Sequence, residues 1–161
     1  MAKGDDILYE GYNGFAQDGK QIPIDKYVPL HVASISKTLT AMATLKLVDA
    51  GKLKLEDHLT KYFPDFPYPD VTVFTLLSQR SGLPKYEHFI EKIQPQPAEL
   101  SKKFITNQDV LNLLTRYKPE LARPTNTGFM YCNTNYALLA LLVENIAKVP
   151  FPEAMQQMIF R

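Results

Sequence analysis

Ile35, Leu39, Met42, Leu45 and Val48 follow one another at helical spacing, and Ala41, Ala43 and Leu47 spread apolar surface around most of the same circumference. The pattern predicts a buried helix over residues 34–50, closed by Gly51 as its C-cap. Further helices are predicted near 72–80, with Thr72 as cap and Gly82 as stop, and near 107–117, where Asn107 caps a run carrying Val110, Leu111 and Leu114. Two more follow near 135–147, through Tyr136, Leu139, Leu142 and Ile146, and near 152–160. Before them, Asp5 to Phe15 reads as one strand at roughly 6–16 leaving a Gly4-Asp5 turn, with another turn at Asp18-Gly19. Phe63-Pro-Asp-Phe-Pro-Tyr-Pro69 must be an irregular loop, because its prolines remove backbone donors and fix φ. Residues 84–106, holding Gln94-Pro-Gln-Pro97, form the other long irregular stretch, exposed and free to vary. The fold class is α+β and predominantly helical, a single domain over 1–161 in which 1–30 supply sheet strands and 31–161 are mostly helical.

A length of 161 residues with 45% hydrophobic content suits one core. The net charge of +1, with both signs interspersed, gives no basic face for nucleic acid. No apolar run approaches the ~20 residues needed to span a bilayer, and Met-Ala-Lys-Gly-Asp-Asp is too polar for a signal peptide. His31, His58 and His88 are scattered without metal-ligand spacing, and Cys132 has no second cysteine, so neither a metal site nor a disulfide within the chain is expected. The adjacent carboxylates Asp5-Asp6 and Glu56-Asp57 read as solvated turns rather than acid/base pairs.

Two short segments carry candidate chemistry. Ser34 and Lys37, three apart at the mouth of the first helix, share a face, so a hydroxyl and an ammonium can meet where the helix dipole favours developing negative charge. On a buried helix Lys37 is partly desolvated, which suits a base or proton shuttle. The plainer alternative makes Ser34 an N-cap and Lys37 a solvated side chain; it fits imperfectly, because a first-turn cation opposes the dipole. Ser-x-x-Lys alone is weak, arising by chance in on the order of half of chains this long. The second segment, Tyr131-Cys132-Asn133, is the only Tyr-x-Asn in the chain. In an extended loop alternate residues point the same way, so Tyr131 and Asn133 can face one cavity while Cys132 turns inward as packing. A phenol beside a cation loses its proton more easily, and a carboxamide can hold a substrate amide. In isolation, a turn and cap at Asn133-Thr134-Asn135 with Tyr131 in the core explains the segment as well.

Ser34-Ile-Ser-Lys37-Thr, Asp49-Ala-Gly-Lys-Leu-Lys-Leu-Glu-Asp57, Leu76-Leu-Ser-Gln-Arg-Ser-Gly-Leu-Pro84 and Tyr131-Cys-Asn-Thr-Asn-Tyr136 occur in an order that resembles the serine β-lactamase-related family. That family includes class C β-lactamases, D-alanyl-D-alanine carboxypeptidases and β-lactamase-fold esterases, and the resemblance runs from about Ile7 to the end. It implies a partial β-lactamase/transpeptidase-like fold. It also implies a serine hydrolase or acyltransferase in which Ser34 is acylated, Lys37 and Tyr131 move its proton, and Asn133 positions an amide, β-lactam or ester. Which of Lys37 and Tyr131 is the base stays open, since the two titrate as a coupled pair. No cofactor and no metal are implied, the partner is a small molecule or a cell-wall-like peptide, and location is periplasmic or secreted.

The resemblance has gaps. The family's third motif, Lys-Thr-Gly or His-x-Gly on a strand, has no match after Tyr131, since the last glycine is Gly128 and the last histidine His88. That strand brings one oxyanion-hole donor in the family, and losing one such donor costs a factor of about 100 to 1,000 in rate. The chain therefore reads as an internal fragment with weak or no turnover, whose open sheet edges give a route to self-association. The rival is a catalytically silent module binding cell-wall peptide or a protein partner. Gln79-Arg80 replaces the His-Thr of many relatives, and Cys132 stands where serine is commoner; both are expected to be minor departures.

Overall fold

In a computed structural model the described residues are 1–17, 19–95, 97, 100 and 104–160. The chain divides into two compact units, Met1–Ala33 and Ser34–Arg161.

The first unit corrects the expectation of one strand at 6–16. It holds two short antiparallel hairpins, β1 (Ala2–Lys3) with β2 (Asp6–Ile7), and β3 (Phe15–Gln17) with β4 (Lys20–Pro23). The first closes around Gly4 at φ +60°. Residues 8–14 pair in neither ladder, and Gly14 at φ +91° bends the chain there. In the second hairpin Gly19 turns at φ +73°, while Asp18 of the predicted turn lies outside the described residues. Every strand residue is exposed.

Among the described residues of the second unit six α-helices follow: α1 (Ser36–Asp49), α2 (Val73–Leu77), α3 (Tyr86–Ile90), α4 (Asn107–Tyr117), α5 (Asn133–Ala147) and α6 (Phe151–Met158). α5 is apolar nearly all round from Ala137 to Val143 and is accordingly the central helix, with Leu138, Leu139, Leu142 and Val143 fully buried. It packs against α1, α2, α4 and α6. α1 ends in a Schellman arrangement, in which Lys52 N–H reaches Leu47 O and Gly51, at φ +68°, donates to Val48 O. Contrary to expectation α1 is covered on one side only. Thr40, Ala43, Thr44 and Leu47 are buried, whereas Ile35, Met42 and Leu45 are exposed, because apolar residues all round a helix do not say which side its neighbours take.

Two start signals are capping boxes, Thr72 with Thr75 and Thr106 with Asp109. The second moves the cap from the expected Asn107 to Thr106, whose Oγ1 accepts from Asp109 N–H at 3.1 Å while Asp109 returns a bond to Thr106 N–H. α2 stops short of the expected residue 80 because Gln79 takes φ +58°. The stretch 84–106 is not wholly irregular: it contains α3, with Phe89 and Ile90 buried, while Gln96, Ala98, Glu99 and 101–103 lie outside the described residues. α6 ends at Met158, and the final Arg161 also lies outside them.

The Glu56-Asp57 turn differs from a merely solvated one. Burial pushes the Asp57 carboxyl up, but hydrogen bonds from Tyr62 (2.6 Å), Lys61 (2.9 Å) and Lys54 N–H (3.0 Å) outweigh it and hold the group at about 2. No helix among the described residues is long and apolar enough to cross a membrane.

Candidate active site

Ala33 is in the left-handed region at φ +44°, uncommon for a residue with a Cβ, and leads into the 3₁₀ turn Ala33–Ile35 before α1. Ser34 lies in that turn, exposed, and Lys37 lies half-buried in the first turn of α1. The α1 N-cap is Ile35, with no side-chain cap bond, so the Ser34 hydroxyl is not spent on capping. Lys37 Nζ donates to Ser34 Oγ at 3.0 Å, and Ser34 Oγ lies 2.6 Å from Tyr131 Oη, across 97 residues of sequence. The ammonium also sits 5.0 Å from the Tyr131 ring centre and 5.9 Å from that of Tyr136. The Lys37 ammonium, and after it the Ser34 hydroxyl, hold the Tyr131 phenol below its usual 10.

Tyr131 is 41% exposed, Cys132 is fully buried, and Asn133 is half-buried, the alternation expected of an extended segment. Asn133 is also the first residue of α5, with Cys132 as N-cap. Its carboxamide nitrogen donates to Glu87 Oε1 in α3. Asn133 and Lys37 share the wall of a hollow of about 260 Å³ with Tyr86, Asn107, Tyr136 and Phe151. The structure thus brings Ser34, Lys37 and Tyr131 into direct contact and sets Asn133 beside Lys37. Cys132 Sγ approaches Leu83 O at 3.4 Å, and burial pushes its thiol up. Among the described residues no group of three or more His, Cys, Asp or Glu side chains is placed to hold a metal ion.

A family model described as Beta-lactamase matches residues 1–161. The chain belongs to the beta-lactamase family. A penicillin-binding protein of Bacillus subtilis (strain 168) is 33% identical over 159 residues, which cover 99% of this chain and 34% of that protein. The crystal structure of a penicillin-binding protein from Bacillus halodurans superposes with a TM-score of 0.77 at 32% identity, covering 96% of this chain and 48% of that one. D-amino acid amidase from Ochrobactrum anthropi SV3, solved with L-phenylalanine, superposes at 0.74 with 26% identity, covering 91% and 39%. The chain therefore spans about a third of the curated relative and less than half of either solved protein. Its relatives are serine hydrolases of beta-lactamase fold.

Two further residues brace this candidate site of the beta-lactamase-family chain, Gln79, which the sequence marks only as a departure from relatives, and Glu87. Gln79 is buried, and its Oε1 accepts from Cys132 N–H at 2.9 Å and Asn135 Nδ2 at 2.6 Å, while its backbone O accepts from Met130 N–H at 2.7 Å. It holds the backbone on both sides of Tyr131. Neighbouring bonds complete the brace, with Ser81 Oγ donating to Asn135 Oδ1 at 2.6 Å and Asn126 N–H to Arg80 O at 2.8 Å. The sequence signal was the polar Ser-Gln-Arg-Ser interruption of an apolar run. The other residue, Glu87, left no signal, because α3 is too short to show a period.

Proposed function

We propose that this chain carries the nucleophilic machinery of a serine hydrolase or acyltransferase, with Ser34 as nucleophile, Tyr131 and Lys37 handling its proton, and Asn133 positioning substrate. One observation carries the reading: Ser34 Oγ is within hydrogen-bond distance of both a phenol and an ammonium. The Lys37 ammonium has donors only and, while charged, cannot accept the Ser34 proton; Tyr131, with its pKa lowered, can. Ser34 Oγ bonds to the carbonyl carbon and its proton passes to the Tyr131 oxygen. As the C–N or C–O bond breaks, that proton moves to the departing amine or alcohol. Water then attacks the acyl-serine, giving a proton to Tyr131, which passes it to Ser34 Oγ as the Oγ–acyl bond breaks. Substrates on this reading are amides, β-lactams or esters.

A fluorophosphonate or a fluorescent penicillin is expected to label the chain at Ser34, and Ser34→Ala to abolish the label; intact-protein mass shows the adduct. Unchanged labelling of Ser34→Ala overturns the assignment. The pH dependence tests the base. Labelling rises with pH as Tyr131 ionises, and its rising limb lies below the ordinary tyrosine range because the Lys37 cation favours the phenolate. Lys37→Met removes that cation, so the limb is expected to move to higher pH. A limb that stays in place excludes Tyr131 as the group controlled by Lys37.

A further inference from the structure

Gly128 is a glycine for a reason other than its backbone. Its φ lies outside the left-handed region, yet a Cβ there would stand 3.1 to 3.2 Å from Nη1, Cζ and Nη2 of Arg123, so the guanidinium lies flat against it. From that seat Arg123 Nη1 donates to Phe129 O at 3.0 Å, across the base of the loop 123–129. The tip of the loop is held separately, with Arg80 Nε donating to Asn126 Oδ1 at 3.0 Å and Asn126 N–H to Arg80 O at 2.8 Å. Among the described residues Arg123 has no ion pair, and its Nε is buried without a hydrogen-bond partner. A buried donor left unpaired is destabilising, so an apolar side chain would fill this position at less cost. What the arginine adds is geometry.

The bond at Phe129 O matters because of the peptide unit it belongs to. Phe129 C=O and Met130 N–H are two ends of one rigid plane, and Met130 N–H donates to Gln79 O at 2.7 Å. Gripped only at its N–H, that plane can swing about the chain axis; gripped at both ends, it cannot. The next residue is Tyr131, whose Oη lies 2.6 Å from Ser34 Oγ. Resting on the reading of Tyr131 as the group that takes the Ser34 proton, we propose that Arg123 is a positioning residue for Tyr131: its guanidinium, seated on Gly128 and bonded to Phe129 O, sets the direction from which the phenol meets Ser34. Residue 128 must be glycine to leave the guanidinium its seat.

The test uses the 161-residue chain with its tyrosines carbon-13 labelled at Cζ, the Tyr131 signal being assigned by its absence in Tyr131→Phe. In the wild type that phenol titrates below its usual 10, because the Lys37 ammonium and then the Ser34 hydroxyl outweigh desolvation and the opposing Glu87 carboxylate. A phenol that swings away from Lys37 and Ser34 loses this help, so Arg123→Ala is expected to move the midpoint up toward the ordinary tyrosine value. Saturating fluorophosphonate should then label Ser34 at least about tenfold more slowly, with the half-saturating concentration within about threefold of wild type, since a misplaced group costs rate rather than binding. Gly128→Ala keeps the arginine and needs no unusual backbone; its methyl pushes the flexible end of Arg123 off Phe129 O, so both readouts should move the same way. Loss of stability alone moves neither readout below the unfolding transition. A Tyr131 midpoint that stays at its wild-type pH in Gly128→Ala overturns the proposal even if Arg123→Ala fails to fold, and so does wild-type labelling in a folded Arg123→Ala. A wild-type chain without Ser34-dependent labelling sinks the nucleophile assignment instead, and the titration still decides what Arg123 does for Tyr131.

Discussion

Gly82→Ala is expected to lower the stability of the helical unit by more than about 3 kcal/mol, read as a fall in the urea midpoint. Gly82 is buried at φ +75°, and a Cβ there would stand 2.0 Å from the Arg123 carbonyl oxygen, a backbone atom with no flexible end to swing aside. The contact lies where the chain after α2 meets the segment before Tyr131: Ala122 N–H donates to Gly82 O at 2.9 Å and Thr125 Oγ1 to Ser81 O at 2.9 Å. Gly51→Ala is the control. It shares the positive φ, +68°, but nothing lies within 4 Å, so it should cost only about 1–2 kcal/mol for the left-handed backbone. Equal losses for the two would mean that the close approach at Gly82 is not present in solution.

Gln79→Ala is expected to cost about 2–6 kcal/mol and to remove most Ser34 labelling together. The stability loss follows from two buried donors, Cys132 N–H and Asn135 Nδ2, left without their shared acceptor, at about 1–3 kcal/mol each. The labelling loss follows from position, since Cys132 adjoins Tyr131, whose hydroxyl must stay within hydrogen-bond distance of Ser34 Oγ. Urea titration and fluorophosphonate labelling below the unfolding transition separate the two effects. A folded Gln79→Ala that labels at the wild-type rate would remove Gln79 from the support of the site.

The parts of this molecule legible in its sequence are those set by local periodicity. α1, α4 and α5 announce themselves through apolar spacing, and Ser34 with Lys37 through a three-residue interval that one helical turn converts into proximity. Tyr131 is different in kind. Its meeting with Ser34 depends on α5 packing against α1, and only the ordered set of family motifs suggested it. Glu87 was invisible because α3 is five residues long, and Gln79 showed only as a departure from relatives, because a buried acceptor's worth depends on donors more than fifty residues away. The first hairpins misread as one strand for a related reason: β-type residues such as Ile7, Tyr9, Tyr12 and Phe15 favour extension, but a ladder needs a partner strand, and among the described residues no strand pairs with 8–14.

The enclosure of Cys132 has a practical consequence for following this site in solution. Its sulfur is sealed behind the segment that carries Tyr131, and burial disfavours the thiolate that maleimides attack. A reporter dye can therefore be coupled to a single cysteine introduced at Phe129, which is 66% exposed two residues from Tyr131, while the native sulfur is left in place.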